Sequence, residues 1–440
     1  MQKIVIVGAG SFIFSGQLIF DLLCCPELSD STISLMDIDE DRLELIAKLA
    51  RKMVADKGYA TKVEHSLNRE SSLDGADFVI MTAEIGGIHQ YLNDIEIPDK
   101  YGVNQNVGDT IGAGGVFRAL RTVPFLLDVC RDMERLCPKA FLLNYTNPMA
   151  INCWAISESS SIRTIGLCHS VQDTARQLAA YMQIPYEEMS YWVAGINHMA
   201  WFLKLNWNEK DAYPILKGLK VDEELWKRVV GGYEKFAMKD FVRFEIMDLF
   251  GYFVTESPYH MSEYVSYFRK SEKQIADLAI GNRWWLDHKR SADTYIREIR
   301  DYVDNGKMYI HERSGEYASY IIHALVTGQE CVINGNIKND ALITNLPEGC
   351  CVEVPCLVNR VGIHPCHVGN LPPQCAALNR MNINVQELAV HAALTGDEAA
   401  VVQAIAVDPL TSSILPLDEI RQMVREMMQA ERQYLPQFNR

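Results

Sequence analysis

At 440 residues the chain exceeds one ordinary hydrophobic core, and about two or three domains are expected. With 48% hydrophobic and 22% charged residues its composition is that of a globular protein, and 42 basic against 57 acidic side chains leave a net charge of −15. That balance excludes phosphate-backbone binding as its main business, so no nucleic-acid partner is expected, and no apolar stretch reaches the roughly 18 residues of a membrane span.

MQKIVIVGAG enters a strand and a glycine turn directly, with no basic leader and no cleavage site, so a cytoplasmic location is expected. The twelve cysteines form no C-x-x-C pair and should be reduced; the vicinal pairs Cys24–Cys25 and Cys350–Cys351 read as core-filling thiols. Residues 16–24 read as a helix, TISLMDID (32–39) as a second strand and ADFVIMTA (76–83) as a third. A long helix is predicted over 116–136, with Leu120, Val123, Leu126 and Leu127 on one face. KAFLLNYTNP (139–148) is a strand stopped by Pro148, and IRTIGLCHS (162–170) is another. Strands alternating with helices predict an α/β fold, a Rossmann-type doubly wound parallel sheet.

Beyond about residue 196 the character changes. Helices are predicted over 222–250, 284–304 and, in pieces, 384–434; CVINGNI (331–337) and CCVEVPCLV (350–358) are strands, and IHPCHVGNLPPQ (363–374) is a loop. The expected division is a dinucleotide-type domain at 1–195 and an α+β domain at 196–440, with a ligand cleft between them.

Gly8 and Gly10 stand after a strand and before a helix, where glycine permits a tight turn and close approach of a pyrophosphate, with Ser11 beside them. Position 13, where a third glycine would stand, is Ile13. Asp37 ends the second strand, where an acidic residue takes the ribose hydroxyls of NAD rather than its 2′-phosphorylated form. A flavodoxin-like fold without a dinucleotide is the alternative. Four further stretches lie where strands of this sheet should end: VGDTIGAGGVFR with Asp109, NYTNP with Asn144 and Asn147, GLCHS with Cys168 and His169, and GINHMAWF with Asn197 and His198. Singly each has a plain explanation, since asparagine makes turns and a lone cysteine or histidine is usually packing. Together they converge on one crevice. Cys168 and His198 pair a soft with a borderline ligand, too few for a structural zinc site but suited to an open divalent transition-metal site.

GAGS, MDID, VGDTIGAGG, LNYTNPMA, GLCHSV, AGINHMAW and NLPEGCCVEV together resemble the family 4 glycoside hydrolases, from residue 4 to past 380. Cys-His-Ser-Val at Cys168–Val171 looks like the melibiose-type α-galactosidases of that family. The resemblance implies an NAD- and Mn²⁺-dependent glycosidase. In such enzymes NAD⁺ takes a hydride from sugar C3, a base removes the acidified C2 proton, the aglycone leaves C1, water adds, and the hydride returns; glycosidases of this kind are an exception to the two-carboxylate rule. By similarity Cys168 and His198 are metal ligands, Asn147 touches the substrate near the metal, Asp109 is the acidic residue of the glycine-rich loop, and Arg313 is directed at the substrate. An ion pair of Arg313 with Glu312 or Glu316 is the plainer alternative. His169 stands where phospho-sugar members carry an aspartate acting as acid on the leaving group, and a histidine can donate that proton near neutral pH. The C2 base falls in VTESPYHMSEY (254–264), with Tyr259, His260 and Tyr264 as candidates and His260 preferred.

The expected activity is thus hydrolysis of α-galactosides such as melibiose. The alternatives are the same machinery on α-glucosides or uronic acid glycosides, a lactate/malate-type NAD dehydrogenase, and a non-enzymatic NAD-binding protein. A homo-oligomer, dimer or tetramer, is expected partly from family habit and partly from apolar stretches read as helical, WFLKLNW (201–207) and NRWWLDH (282–288), which core packing explains equally well.

Overall fold

The computed structural model describes residues 1–12, 14–228, 239–281, 285–307 and 310–438, with backbone alone over 285–292. Ile13 and the side chains of the NRWWLDH stretch therefore lie outside the described residues.

The strands are β1 (Lys3–Val7), β2 (Thr32–Met36), β3 (Lys62–Ser66), β4 (Phe78–Met81), β5 (Phe141–Asn144), β6 (Arg163–Leu167), β7 (Met189–Ile196), β8 (Met199–Trp207), β9 (Lys210–Asp211), β10 (Cys331–Lys338), β11 (Cys351–Asn359) and β12 (Gly362–Pro365). They form one sheet in the order β3-β2-β1-β4-β5-β6-β10-β11-β7-β8-β9, with β12 paired to β11. The first six are parallel, in the doubly wound dinucleotide-binding order, and β10 joins antiparallel to β6. KIVIV, TISLM, FVIM and FLLN are near-continuous apolar runs because helices cover both faces of parallel strands. β3, KVEHS, is the exposed, charged edge; its polar pattern concealed it in the sequence, and the same polarity protects an open edge.

Beyond β6 the sheet continues with antiparallel strands. WFLKLNW, read as helical, is β8, and Trp201 and Phe202 are fully buried core residues. Its partner β7 runs back from it so that Ile196 faces Met199, leaving Asn197 and His198 as the two residues of the hairpin turn. The helix predicted from residue 116 begins at Gly112 and runs to Leu136. A Cβ on Gly114 would meet the Gly108 carbonyl oxygen at 2.3 Å, so glycine lets the Asp109 loop fold back onto the helix start. In the 222–250 segment the described helices are Glu223–Trp226 and Phe241–Phe250. Residues 285–305 are helical as expected, and the C-terminal pieces begin earlier than read, at Pro373. Cys25, Cys350 and Cys351 are buried and Cys24 packs against the same core, as core-filling thiols do.

Candidate active site

The order of strands reverses between β1 and β4, and the glycine turn sits there. Gly8 has φ +89°, and a Cβ on it would lie 2.4 Å from the Ala83 backbone nitrogen, so only glycine fits. Gly10 N–H donates to Asp37 Oδ2 at 2.7 Å, and Asp39 N–H to Asp37 Oδ1 at 3.0 Å, which fixes the carboxylate beside the turn. Ser11 Oγ accepts from Phe14 N–H at 3.4 Å, just before the helix Ser15–Leu23. Gly8, Gly10, Ser11 and Asp37 thus form one bare-backbone cradle at a helix N-terminus, the chemistry a pyrophosphate and a ribose require.

At the neighbouring strand ends, β6 delivers Cys168 and His169, and the turn after β5 delivers Asn147. Cys168 is 8% exposed. Burial pushes its thiol well above its ordinary range, and Glu353 and Glu256 push the same way. The β7–β8 turn delivers His198, almost fully buried, whose Nδ1 has no hydrogen-bond partner. Burial and the nearby His260 hold it well below the usual imidazole value, so it is neutral, the form that ligates metals. Among the described residues no group of three or more His, Cys, Asp or Glu stands where it could hold a metal ion. A buried thiol and an unpartnered neutral imidazole fit a divalent transition ion with open positions, and such an ion would supply the positive charge a buried thiolate needs.

The third element is the short helix Pro258–Tyr264. Ser257 caps it, accepting from His260 N–H at 3.3 Å, which places His260 in the first turn. The His260 ring lies edge-on to that of His198, with centroids 4.6 Å apart. Its Nδ1 is 2.8 Å from Glu256 Oε2, and its Nε2 is 3.9 Å from Asp109 Oδ1. Burial disfavours the imidazolium, but Glu256 outweighs it and His260 is raised to about 9. Burial likewise works against the Glu256 carboxylate, yet His260 holds it well below the usual range. Glu256 adopts φ +75°, an uncommon conformation for glutamate, and is held by the Thr174 hydroxyl accepting its N–H at 3.1 Å and by Arg243 donating to its carbonyl. Asp109 Oδ2 accepts from Asn147 Nδ2 at 2.9 Å, so two of the expected site residues pair directly.

His169 opens the helix Ser170–Met182, and its Nδ1 is 3.0 Å from Glu316 Oε1. Desolvation alone would lower its value, but Glu316 raises it to about 10. Arg313 is not drawn into this cluster: its guanidinium donates to Ser319 Oγ at 2.9 Å and lies 3.7 Å over the Tyr320 ring. Of Glu312 and Glu316, offered as its alternative partners, Glu316 serves His169 instead. Of the other base candidates, Tyr264 is a tether, its hydroxyl accepting from His198 N–H at 3.1 Å and donating to Asn197 O at 3.3 Å; Tyr259 is buried in the core.

Three carboxylates beside the cluster had no site role in the sequence reading: Glu256, Glu353 and Glu316, the last read only as a possible partner of Arg313. Glu353 is fully buried on β11, opposite Gly195, and burial raises it to about 8. Its signal was visible as one glutamate inside the apolar strand CCVEVPCLV. Glu256 and Glu316 stand in loops, where a charge reads as solvated.

A dinucleotide-type sheet whose strand ends gather a thiol, three histidines and four carboxylates is the frame of a small-molecule enzyme. The Family 4 glycosyl hydrolase model matches residues 3–184, and the Family 4 glycosyl hydrolase C-terminal domain model matches residues 193–411. An alpha-galactosidase of Bacillus subtilis (strain 168) is 39% identical over 445 residues, covering 100% of both chains. An alpha-galactosidase of Rhizobium meliloti (strain 1021) is 36% identical, covering 99% of this chain and 89% of that one. A solved 6-phospho-alpha-glucosidase from gut microorganisms, in complex with NAD and Mn²⁺, matches with a TM-score of 0.83 at 19% identity over 100% of both chains, a likeness of fold. The chain belongs to the family 4 glycosyl hydrolases and is by family a glycosidase.

Proposed function

We propose that this chain hydrolyses α-galactosides, with NAD held at the Gly8–Ser11 turn and Asp37 and a divalent metal held by Cys168 and His198. The observation that carries the reading is the convergence of His198, its Nδ1 unpartnered, with His260, ring centroids 4.6 Å apart, beside the Asp109–Asn147 pair. The galactoside preference rests on likeness to the two alpha-galactosidases. When bound, NAD would accept and return a hydride and the metal would polarise sugar oxygens.

The remaining work falls to the chain's own side chains. His169, an imidazolium kept charged by Glu316, donates a proton to the departing glycosidic oxygen. His260, in its neutral form, takes the C2 proton, and Glu256 on Nδ1 stabilises the imidazolium that results. Asp109 faces Nε2 of His260 and fixes Asn147, which would meet the sugar.

The test is hydrolysis of p-nitrophenyl α-galactoside under reducing conditions, with NAD⁺ and Mn²⁺ each added or omitted and α-glucoside and α-glucuronide substrates alongside. Hydrolysis requiring both additions, without net NADH, is expected to be fastest on the galactoside. Hydrolysis indifferent to NAD⁺ would sink the redox reading, and a faster α-glucoside or α-glucuronide would replace the substrate.

A further inference from the structure

We propose that Glu263 is a positioning residue for this reaction, holding the Asp109 loop in register with His260. The proposal rests on the reading of Asp109 and His260 given above. Glu263 is 2% exposed and accepts three consecutive backbone N–H groups. Oε1 takes Asn106 N–H at 2.6 Å and Val107 N–H at 2.8 Å, and Oε2 takes Gly108 N–H at 3.0 Å. Asp109 is the next residue along. Successive N–H groups turned toward one point form a concave anion seat, and here the anion is supplied by the protein's own side chain.

Glu263 and His260 lie three residues apart on the helix Pro258–Tyr264. One short helix thus carries His260 and grips the loop that carries Asp109. The grip is stiffened behind: Arg269, fully buried, stands 3.8 Å from Glu263 Oε1 and donates to Asn104 Oδ1 at 2.9 Å, Ser262 Oγ at 2.8 Å and Ile280 O at 3.1 Å. Gln105 Nε2 closes the loop onto Ile111 O at 3.0 Å. The neighbouring Tyr264 tethers the Asn197–His198 turn, so this helix fixes two sides of the site. Desolvating a carboxylate is unfavourable, and an apolar side chain would fill the same space without that penalty. What the carboxylate adds is direction: two oxygens aimed at three donors fix both the position and the rotation of the loop. Glutamine keeps the volume but turns an NH₂ against one of those donors.

The experiment compares the full-length wild type with Glu263→Gln, Glu263→Asp, Asp109→Asn and the Glu263→Gln/Asp109→Asn double variant. Readouts are kcat, KM, NAD⁺ affinity, the isotope effect with C2-deuterated substrate, and amide exchange at residues 106–108. Glu263→Gln is expected to lower kcat about ten- to a hundredfold, the scale of a roughly 1 Å misplacement, with KM and NAD⁺ affinity within about twofold. The C2 isotope effect should rise, and amide exchange should quicken at 106–108. In the Asp109→Asn background the same change should add little, because Glu263 acts through Asp109. Losses that multiply, an unchanged kcat in both single Glu263 variants, or unaltered amide exchange would overturn the proposal. If Glu263→Gln does not fold, Glu263→Asp carries the same tests. A wild type inactive on every glycoside would remove the functional reading, and amide exchange would still decide whether the clamp exists.

Discussion

Glu316 Oε1 lies 3.0 Å from His169 Nδ1, although the two residues are 147 positions apart. Glu316 stands just before the helix Tyr317–Thr327, and its loop is tied to the helix Ser15–Leu23 through Ser314 N–H donating to Asp21 Oδ1 at 2.9 Å. The helix that follows the glycine turn therefore helps to hold the carboxylate that keeps His169 charged. Glu316→Gln should leave the fold intact and lower the His169 value. Rates on a disaccharide, whose leaving group needs the proton, should fall by about a hundredfold. Rates on p-nitrophenyl glycosides, whose leaving group does not, should fall far less. Equal losses on both substrates would remove His169 from the acid role.

The pH profile follows from the two raised histidines. His260, raised to about 9, gains its neutral form as pH climbs toward that value, while His169, raised to about 10, keeps its proton until higher pH. kcat/KM should therefore rise through neutral pH, peak between those two values and fall beyond. A profile flat from neutrality to pH 9 would contradict the base assignment. The same shifts are linked to stability: a value raised on folding stabilises fully below the ordinary imidazole value of about 6.5 and ceases to as pH passes through the folded value. The melting temperature should therefore decline as pH rises from about 6.5 toward 9 and 10, and level off beyond.

Cys168→Ser replaces a soft ligand with a hard one at a site where burial already disfavours the free thiolate. Mn²⁺ affinity, measured by paramagnetic resonance or equilibrium dialysis, should fall by at least the roughly ten- to hundredfold lost when mere outer partners of metal ligands are removed. NAD⁺ affinity should hold, since the cradle at Gly8, Gly10 and Asp37 is untouched. Unchanged Mn²⁺ binding would disqualify Cys168 as a ligand.

Arg121, fully buried, donates through Nη1 to Asp94 Oδ1 and to Glu431 Oε2, both at 2.8 Å, and through Nε to Ile85 O at 2.9 Å. Burial pushes both carboxyls up, and the guanidinium opposes it. Arg121→Met would leave two acids buried without their cation and should destabilise the protein by about 3–5 kcal/mol. Denaturant unfolding measures this; a loss under about 1 kcal/mol would mean that the triad relaxes into a neutral network.

Much was legible along the chain. Apolar runs ending in Gly8, Asp37, Asn144 and Leu167 gave away the parallel strands, because a strand buried on both faces must be apolar along its whole length. Since parallel strands point their carboxyl ends one way, the polar residues just beyond those ends could be gathered on paper into one crevice. Asp109 with Asn147, and His198 with His260, do meet, but not as read: Asp109 lies between the helices Gly87–Lys100 and Gly112–Leu136, and His198 in the antiparallel β7–β8 turn, not at parallel strand ends. Local sequence did not reveal the charged partners that set their behaviour. Glu256, Glu263, Glu316 and Glu353 look like ordinary solvated or misplaced charges until folding brings them to a histidine, a row of backbone N–H groups, or the buried middle of β11. Proton affinity depends on burial and on charges a few ångströms away, and those are properties of tertiary distance. Residue pattern alone gave the parallel strands other than the polar edge β3, and the residue types expected at the site, but not the antiparallel strand β8. Which histidine is neutral and which charged was settled on folding: Glu316 reaches His169 from 147 positions away, and His260 reaches His198 from another segment. Even near neighbours needed it, because the turn at Glu256 aims that carboxylate at His260 and the path of the loop lays Arg313 on Tyr320.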